Sequence, residues 1–239
     1  MSPSKGPPRL NRQTGTTIVP DVRADFSVAA SAAPEDFEWI PSPGGEVERM
    51  MLDRVGDEVA VATSLVRYPP GSRFPAHEHP LGEEYLVLEG EFADEYGRYG
   101  PGTYVRNPPG SGHTPFSDPG CVIWVKLRQF RPDDLAQFEQ AIDLHVPARG
   151  HRERLLHDFA GERVTVLAAA AGAAIEFPPV DHVQELFVVD AAVRWRDRRF
   201  GAWGWIRVPA GEGLDVVVAK AGRLLHKTRP AFALPDGRG

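Results

Sequence analysis

The sequence holds a single cysteine, Cys121, so no intramolecular disulfide can form, which fits a reducing cytoplasm. Basic charge is not in excess. The 27 Lys and Arg stand against 33 Asp and Glu, for a formal net charge of -6 and a pI near 5.8, leaving no electrostatic footprint for a phosphate backbone or an anionic lipid. Nucleic acid and membrane surfaces are therefore not expected as partners. Long apolar runs are also missing: the longest stretch free of charged and strongly polar side chains, Val166–Ile175, is mostly alanine and falls well short of the roughly 20 residues that span a bilayer. The opening MSPSKGPPRLNRQTG carries Lys and Arg with no apolar stretch behind them, so it does not read as a secretory signal.

What is abundant is turn chemistry. With 24 Gly and 23 Pro in 239 residues, the chain favours short strands over long helices, and its length suffices for one large or two smaller domains. Residues 1–30, rich in Ser, Pro, Gly, Thr and Arg without an apolar period, read as a mobile tail. From about 31 to 130, β-rich runs alternate with Gly/Pro punctuation: VAVATSLVRY (59–68), EEYLVLEG (83–90) and CVIWVKLRQF (121–130). Asp133 and Asp134 can start a helix with Leu135, Phe138 and Ile142 on one face and Pro147 stopping it, so 131–150 is expected to be a helical linker. The remainder, 151–239, looks like a worn copy of the first half. A shift of 101 residues lays GSRFPAHEHPLGEEYLVLEG on GAAIEFPPVDHVQELFVVDA, and YVRNPPGSGH on WIRVPAGEGL, both without a gap. The expectation is an all-β chain of two antiparallel barrels in tandem, the second degenerate.

Chemistry concentrates in the first copy. His77 and His79, two apart, share one face of a strand, Glu83 follows past Pro80-Leu81-Gly82, and His113 arrives behind the turn Pro108–Gly112. Three imidazoles and one carboxylate suit one divalent transition metal, Zn²⁺ or Fe²⁺ first, with Mn²⁺ and Ni²⁺ also accommodated, and suit Ca²⁺ or Mg²⁺ poorly. In the second copy the same positions are Pro178, Val180, Gln184 and Leu214, so no metal is expected there. His182, Glu185 and His226 offer only the raw material of a relocated site, and His145, His151 and His157 read as surface residues. Cys121 reads as a small buried hydrophobe and Glu84 as a structural or interface carboxylate. Phe74, Tyr85, Val87, Tyr104, Arg106 and Trp124 are candidates to line the barrel, with ordinary core packing as the competing reading for all but Arg106.

Gly71-x5-His77-x-His79-x3-Glu83-x6-Gly90 and Gly102-x5-Pro108-x-Gly110-x2-His113 match the two cupin motifs, with Ser117 where the second usually has Asn. Within the cupins, residues 37–128 resemble the zinc-binding cupin domain of the ChrR-type anti-sigma factors. That resemblance implies a jelly-roll β-barrel with a metal on the counterparts of His77, His79, Glu83 and His113. Residues 1–38 contain no His and no Cys, unlike the helical zinc domain by which that family binds its sigma factor, so no sigma-factor partner is expected. Three readings stand: a module that senses a small ligand or regulates through it, an Fe²⁺-dependent dioxygenase for a small diketone or hydroxyaryl ketone, and a zinc-stabilised structural protein. A small-molecule ligand is expected and homodimerisation is left open.

Overall fold

The computed structural model describes residues 21–42, 47–56, 59–143, 145–147 and 149–230. Among them every extended element pairs antiparallel, and a single 3-10 turn, Pro34–Asp36, is the only helical element. In the first half a seven-stranded sheet, built mainly from Glu48–Val55, Val61–Tyr68, Glu83–Gly90, Thr103–Asn107 and Cys121–Leu127, faces a four-stranded sheet of short strands between Ser72 and Ser117. The second half repeats this with a six-stranded and a four-stranded sheet. Tyr85, Val87, Phe92, Ile123 and Val125 fill the first interior, and Leu186, Val188, Ile206, Leu214 and Leu224 the second.

A third core lies between the halves, where the two large sheets meet. Eight of its members fall in pairs 101 residues apart, Leu65 with Val166, Leu86 with Phe187, Tyr104 with Trp205 and Trp124 with Leu225. Trp124 stacks on Phe187 with centroids 5.6 Å apart. Strand alternation sends every second residue of each large sheet to this face, and its charged members answer one another across the junction. Lys126, fully buried, donates to Glu185 Oε2 at 2.6 Å and to Thr63 Oγ1 at 2.8 Å. Its counterpart Lys227 donates back to Glu84 and, at 2.8 Å, to Glu162. Each half thus supplies the lysine for the other's glutamate. Arg106 holds Glu84, Glu162 and Asp134, while its counterpart Arg207 holds Asp53 at 3.0 Å. Buried carboxylates at this density are tolerated because each has a cationic partner; Glu162 is held down to about 2 as Lys227 and Arg106 overcome the opposing effect of burial.

Three expectations need correction. The tail does not run to residue 30: residues 1–20 lie outside the described residues, but Val22 bridges to Arg54, and Arg23 donates to the carbonyls of Met51 and Leu52. Those carbonyls sit at a bulge in the strand Glu48–Val55, where the ladder leaves groups to be satisfied from outside. Arg207 then donates to the carbonyls of Arg23 and Asp25 and lies 4.0 Å over the Phe26 ring, and Ala30–Ala32 adds an edge strand to the second half's large sheet. Among the described residues of 131–150 there is no helix either. Phe138–Ala141 is a strand that covers the open edge of Thr103–Asn107, reciprocating Ala30–Ala32 on the other sheet. A spacing of four, Phe138 to Ile142, also places two side chains on one face of an extended segment, and Leu135 is exposed instead of completing a helical stripe. Finally Tyr104, Arg106 and Trp124 point away from the first interior and into the junction, as their registers opposite Leu86 and Glu84 dictate.

Candidate metal centre

The three histidines come from two short paired strands, His77–His79 and Ser111–His113, with His77 directly opposite His113. Glu83 opens the next long strand after the turn at Pro80–Gly82. One ligand atom from each of His77, His79, Glu83 and His113 lies within 4.8 Å of all the others, and Glu83 Oε1 is 3.6 Å from Nε2 of both His79 and His113. With bonds of about 2.1 Å, ligand atoms on a common ion are separated by about 3 to 3.5 Å.

Each imidazole is oriented through its other nitrogen. His77 Nδ1 meets the Pro75 carbonyl at 3.0 Å, His79 Nδ1 the Ser111 hydroxyl at 3.1 Å, and His113 Nδ1 Asp94 Oδ2 at 3.1 Å. That leaves the Nε2 atoms directed at one point, where the buried His79 Nε2 and Glu83 Oε1 have no hydrogen-bond partner. Orphaned buried acceptors are costly, and a cation between them removes the cost, so the donor set fits a divalent transition metal. Burial lowers the affinity of His79 for a proton, keeping it neutral as a ligand must be.

Asp94, which carries no signal in the motif spacing, divides its two oxygens. Oδ1 accepts from the Tyr96 and Gly97 amides and from Tyr99 Oη, fixing the turn; Oδ2 orients His113. The signal that could have found it is Asp94-Glu95-Tyr96-Gly97, an Asx-type turn preceding a strand of the barrel. A cavity of about 250 Å³ opens against His77, His79 and Glu83, bounded by Phe74, Val66 and Val125 among others. Of the residues expected to line the barrel, Phe74 reaches this cavity, while Tyr85 and Val87 lie in the apolar interior beside it.

The other polar clusters do not resemble this one. Asp134, His157 and Glu162 also converge, but Arg106 and Lys227 already neutralise both carboxylates, so the cluster is an ion-pair network. His157 is accordingly not a surface residue: it is buried, with Nε2 2.7 Å from Asp134. His151 and His145 are exposed. In the second half Leu214 and Gln184 occupy the equivalent position; Gln184 donates to the Pro178 and Glu212 carbonyls and meets His226 Nε2 at 3.2 Å. His226 stacks on Phe177 at 3.9 Å, and burial pulls its pKa down to about 4. Glu185 lies in the junction, so His182, Glu185 and His226 do not assemble. Cys121 is buried in the first interior, its thiol pushed up to about 11 by burial, as a packing residue would be.

Residues 27–131 match the family described as the ChrR Cupin-like domain. The anti-sigma-E factor ChrR of Cereibacter sphaeroides is 34% identical over 90 residues, which is 37% of this chain and 40% of that protein, so the chain spans about two fifths of its curated relative's length. Among solved structures, the protein Ylba from E. coli superposes with a TM-score of 0.66 at 13% identity, over 93% of this chain and 96% of that one. A salicylate 1,2-dioxygenase from Pseudaminobacter salicylatoxidans gives 0.55 at 13% identity over 78% and 77%. These two likenesses show the fold. Among the described residues no helix is long and apolar enough to cross a membrane.

Proposed function

We propose, from the match of residues 27–131 to the family described as the ChrR Cupin-like domain, that the protein binds one divalent transition metal through His77, His79, Glu83 and His113 and takes a small-molecule ligand beside it, as a sensing or regulatory module. The observation that carries this reading is the cavity: three of the four candidate ligands form part of its wall, so a metal held there faces space that a ligand can enter. A purely structural zinc would be enclosed by its protein ligands, with no need of such a cavity. The test is calorimetric titration of the metal-loaded protein with a panel of small oxygen-donor ligands, repeated on metal-free protein. Saturable binding that requires the metal supports the proposal. Identical behaviour with and without metal contradicts it.

A second reading, an Fe²⁺-dependent dioxygenase, is favoured by the apolar side of the same cavity. Val66, Ile123, Val125 and Leu127 give the metal position a dry wall of the kind O₂ chemistry needs, and a dioxygenase shares the fold. Oxygen uptake by Fe²⁺-reconstituted protein in the presence of diketones or hydroxyaryl ketones would put this reading ahead of the sensor. Tight Zn²⁺ with no uptake would leave the sensor.

A further inference from the structure

The lining of the cavity is also basic. Arg49 and Arg54 reach it from the strand Glu48–Val55, and Arg128 from the turn after Cys121–Leu127, where its φ of 60° lies in the left-handed region. Arg54 is only 4% exposed, and Arg49 donates to the Ser42 hydroxyl. The acidic side chains on the same cavity are Glu83, committed to the metal position, and the exposed Glu78. Arg49 and Arg128 beside the metal position give a local excess of positive charge, the field that concentrates and orients an anion.

The second half differs at the corresponding register positions. In the first, Arg49 and Arg54 stand opposite Val66 and Ala62. The positions 101 residues on, Leu167 and Arg163, have Glu153 and Asp158 opposite them. Where the metal candidates are lost, exposed carboxylates stand at the register positions of the two guanidiniums, and Asp158 there is paired with Arg163. Room for a ligand comes from Ala62 and Ser64, successive inward positions of the strand Val61–Tyr68, and from Ala60 just before it, all of which carry almost no side chain.

We propose that this cavity selects a small organic anion, a carboxylate bearing a second oxygen donor, with its charge met by Arg49 and Arg128 while a donor oxygen faces the metal position. The volume of about 250 Å³ limits it to a compact molecule. This rests on the reading that a ligand binds at the metal, and the experiment separates the two.

Metal-loaded protein is titrated by calorimetry with oxalate, pyruvate and salicylate and with the neutral analogues oxamide and salicylamide, with inorganic phosphate as a further arm. At least one carboxylate should bind, its neutral analogue at least roughly tenfold more weakly, as expected when charge-assisted hydrogen bonds are lost. Arg49→Gln/Arg128→Gln should keep stoichiometric metal and lose the same factor for the carboxylate. Ser64→Leu, which fills the cavity and changes no charge, should exclude the carboxylate with metal retained. Equal binding of acid and amide, undiminished binding by the arginine variant, or phosphate binding as tightly as any carboxylate would each overturn the anion assignment and leave ligand binding at the metal standing. Binding of no member of the panel would overturn both.

Discussion

Lys126→Met tests the junction between the halves where it is most exposed to failure. Met keeps the apolar stem of Lys126 but removes the ammonium that donates to Glu185 and Thr63 in a fully buried setting. Glu185 keeps Arg229 at 3.1 Å and Trp205 Nε1 at 3.0 Å, yet loses its shortest contact. Breaking a buried pair by deleting one partner costs about 3–5 kcal/mol. At about 2–4 °C per kcal/mol for a chain of this size, the midpoint should fall by about 6–20 °C. Adding Glu185→Gln removes the stranded charge while an amide oxygen can still accept from Arg229, so the double variant should be more stable than the sum of the single changes by about 1–3 kcal/mol. Urea unfolding followed by tryptophan fluorescence is the assay, at fixed metal concentration so that binding does not shift the curve. Trp124 and Trp205 lie in the junction core and report on it directly. A loss below about 1 kcal/mol, or a parent that unfolds in two separate steps, would refute the reciprocal lysine exchange as a stabilising feature.

Other expectations follow from single contacts. Asp94→Asn retains an oxygen to hold the turn, but its amide meets His113 Nδ1 as a donor and drives the imidazole proton to Nε2; metal affinity should drop about 10–100-fold with the fold intact, and unchanged affinity in a metal-competition titration would count against this orienting role. His226 has a pKa depressed from 6.5 to about 4, so the unfolded chain takes up a proton before the folded one does, and stability present above pH 6.5 declines as pH falls towards 4, by about 3 kcal/mol in total. In His226→Gln this component of the pH dependence should disappear from denaturation curves, and an unaltered slope would show that another group is responsible. Gly90→Ala should be severely destabilising, because φ is +70° and a Cβ would lie 1.9 Å from the Gly120 carbonyl oxygen; a midpoint within about 2 °C of the parent would contradict that packing.

Much of the architecture is legible because strands of period two, turns rich in Gly and Pro, and a repeat without gaps are local signals. The repeat reaches further than the two motif blocks, since Lys126 and Lys227 share the same offset and, with Glu84 and Glu185 and Arg106 and Arg207 inside the blocks, occupy equivalent places in the junction. The convergence of His77, His79, Glu83 and His113 is legible from spacing. What is not legible depends on parity and on contacts made from afar. Arg106 reads as a barrel-lining residue because a strand has two apolar-looking faces when both are buried, and only its register opposite Glu84 selects the junction. Arg49 and Arg54, five apart, belong to opposite faces of a regular strand. The bulge between Met51 and Asp53 puts both against one cavity, and no residue type announces it. Residues 21–26 look like tail because their order derives from distant contacts, with the strand Glu48–Val55 and with Arg207, more than 180 positions away in the chain.

Metal content, measured by inductively coupled plasma mass spectrometry on the protein and on His77→Ala/His113→Ala, bears most directly on the proposed centre. The parent should hold about one equivalent of a divalent transition metal per chain and the double variant close to none, with circular dichroism showing the β-structure retained. A double variant that still carries a full equivalent, or a parent that retains no Zn²⁺, Fe²⁺, Mn²⁺ or Ni²⁺ after reconstitution and desalting, would contradict it.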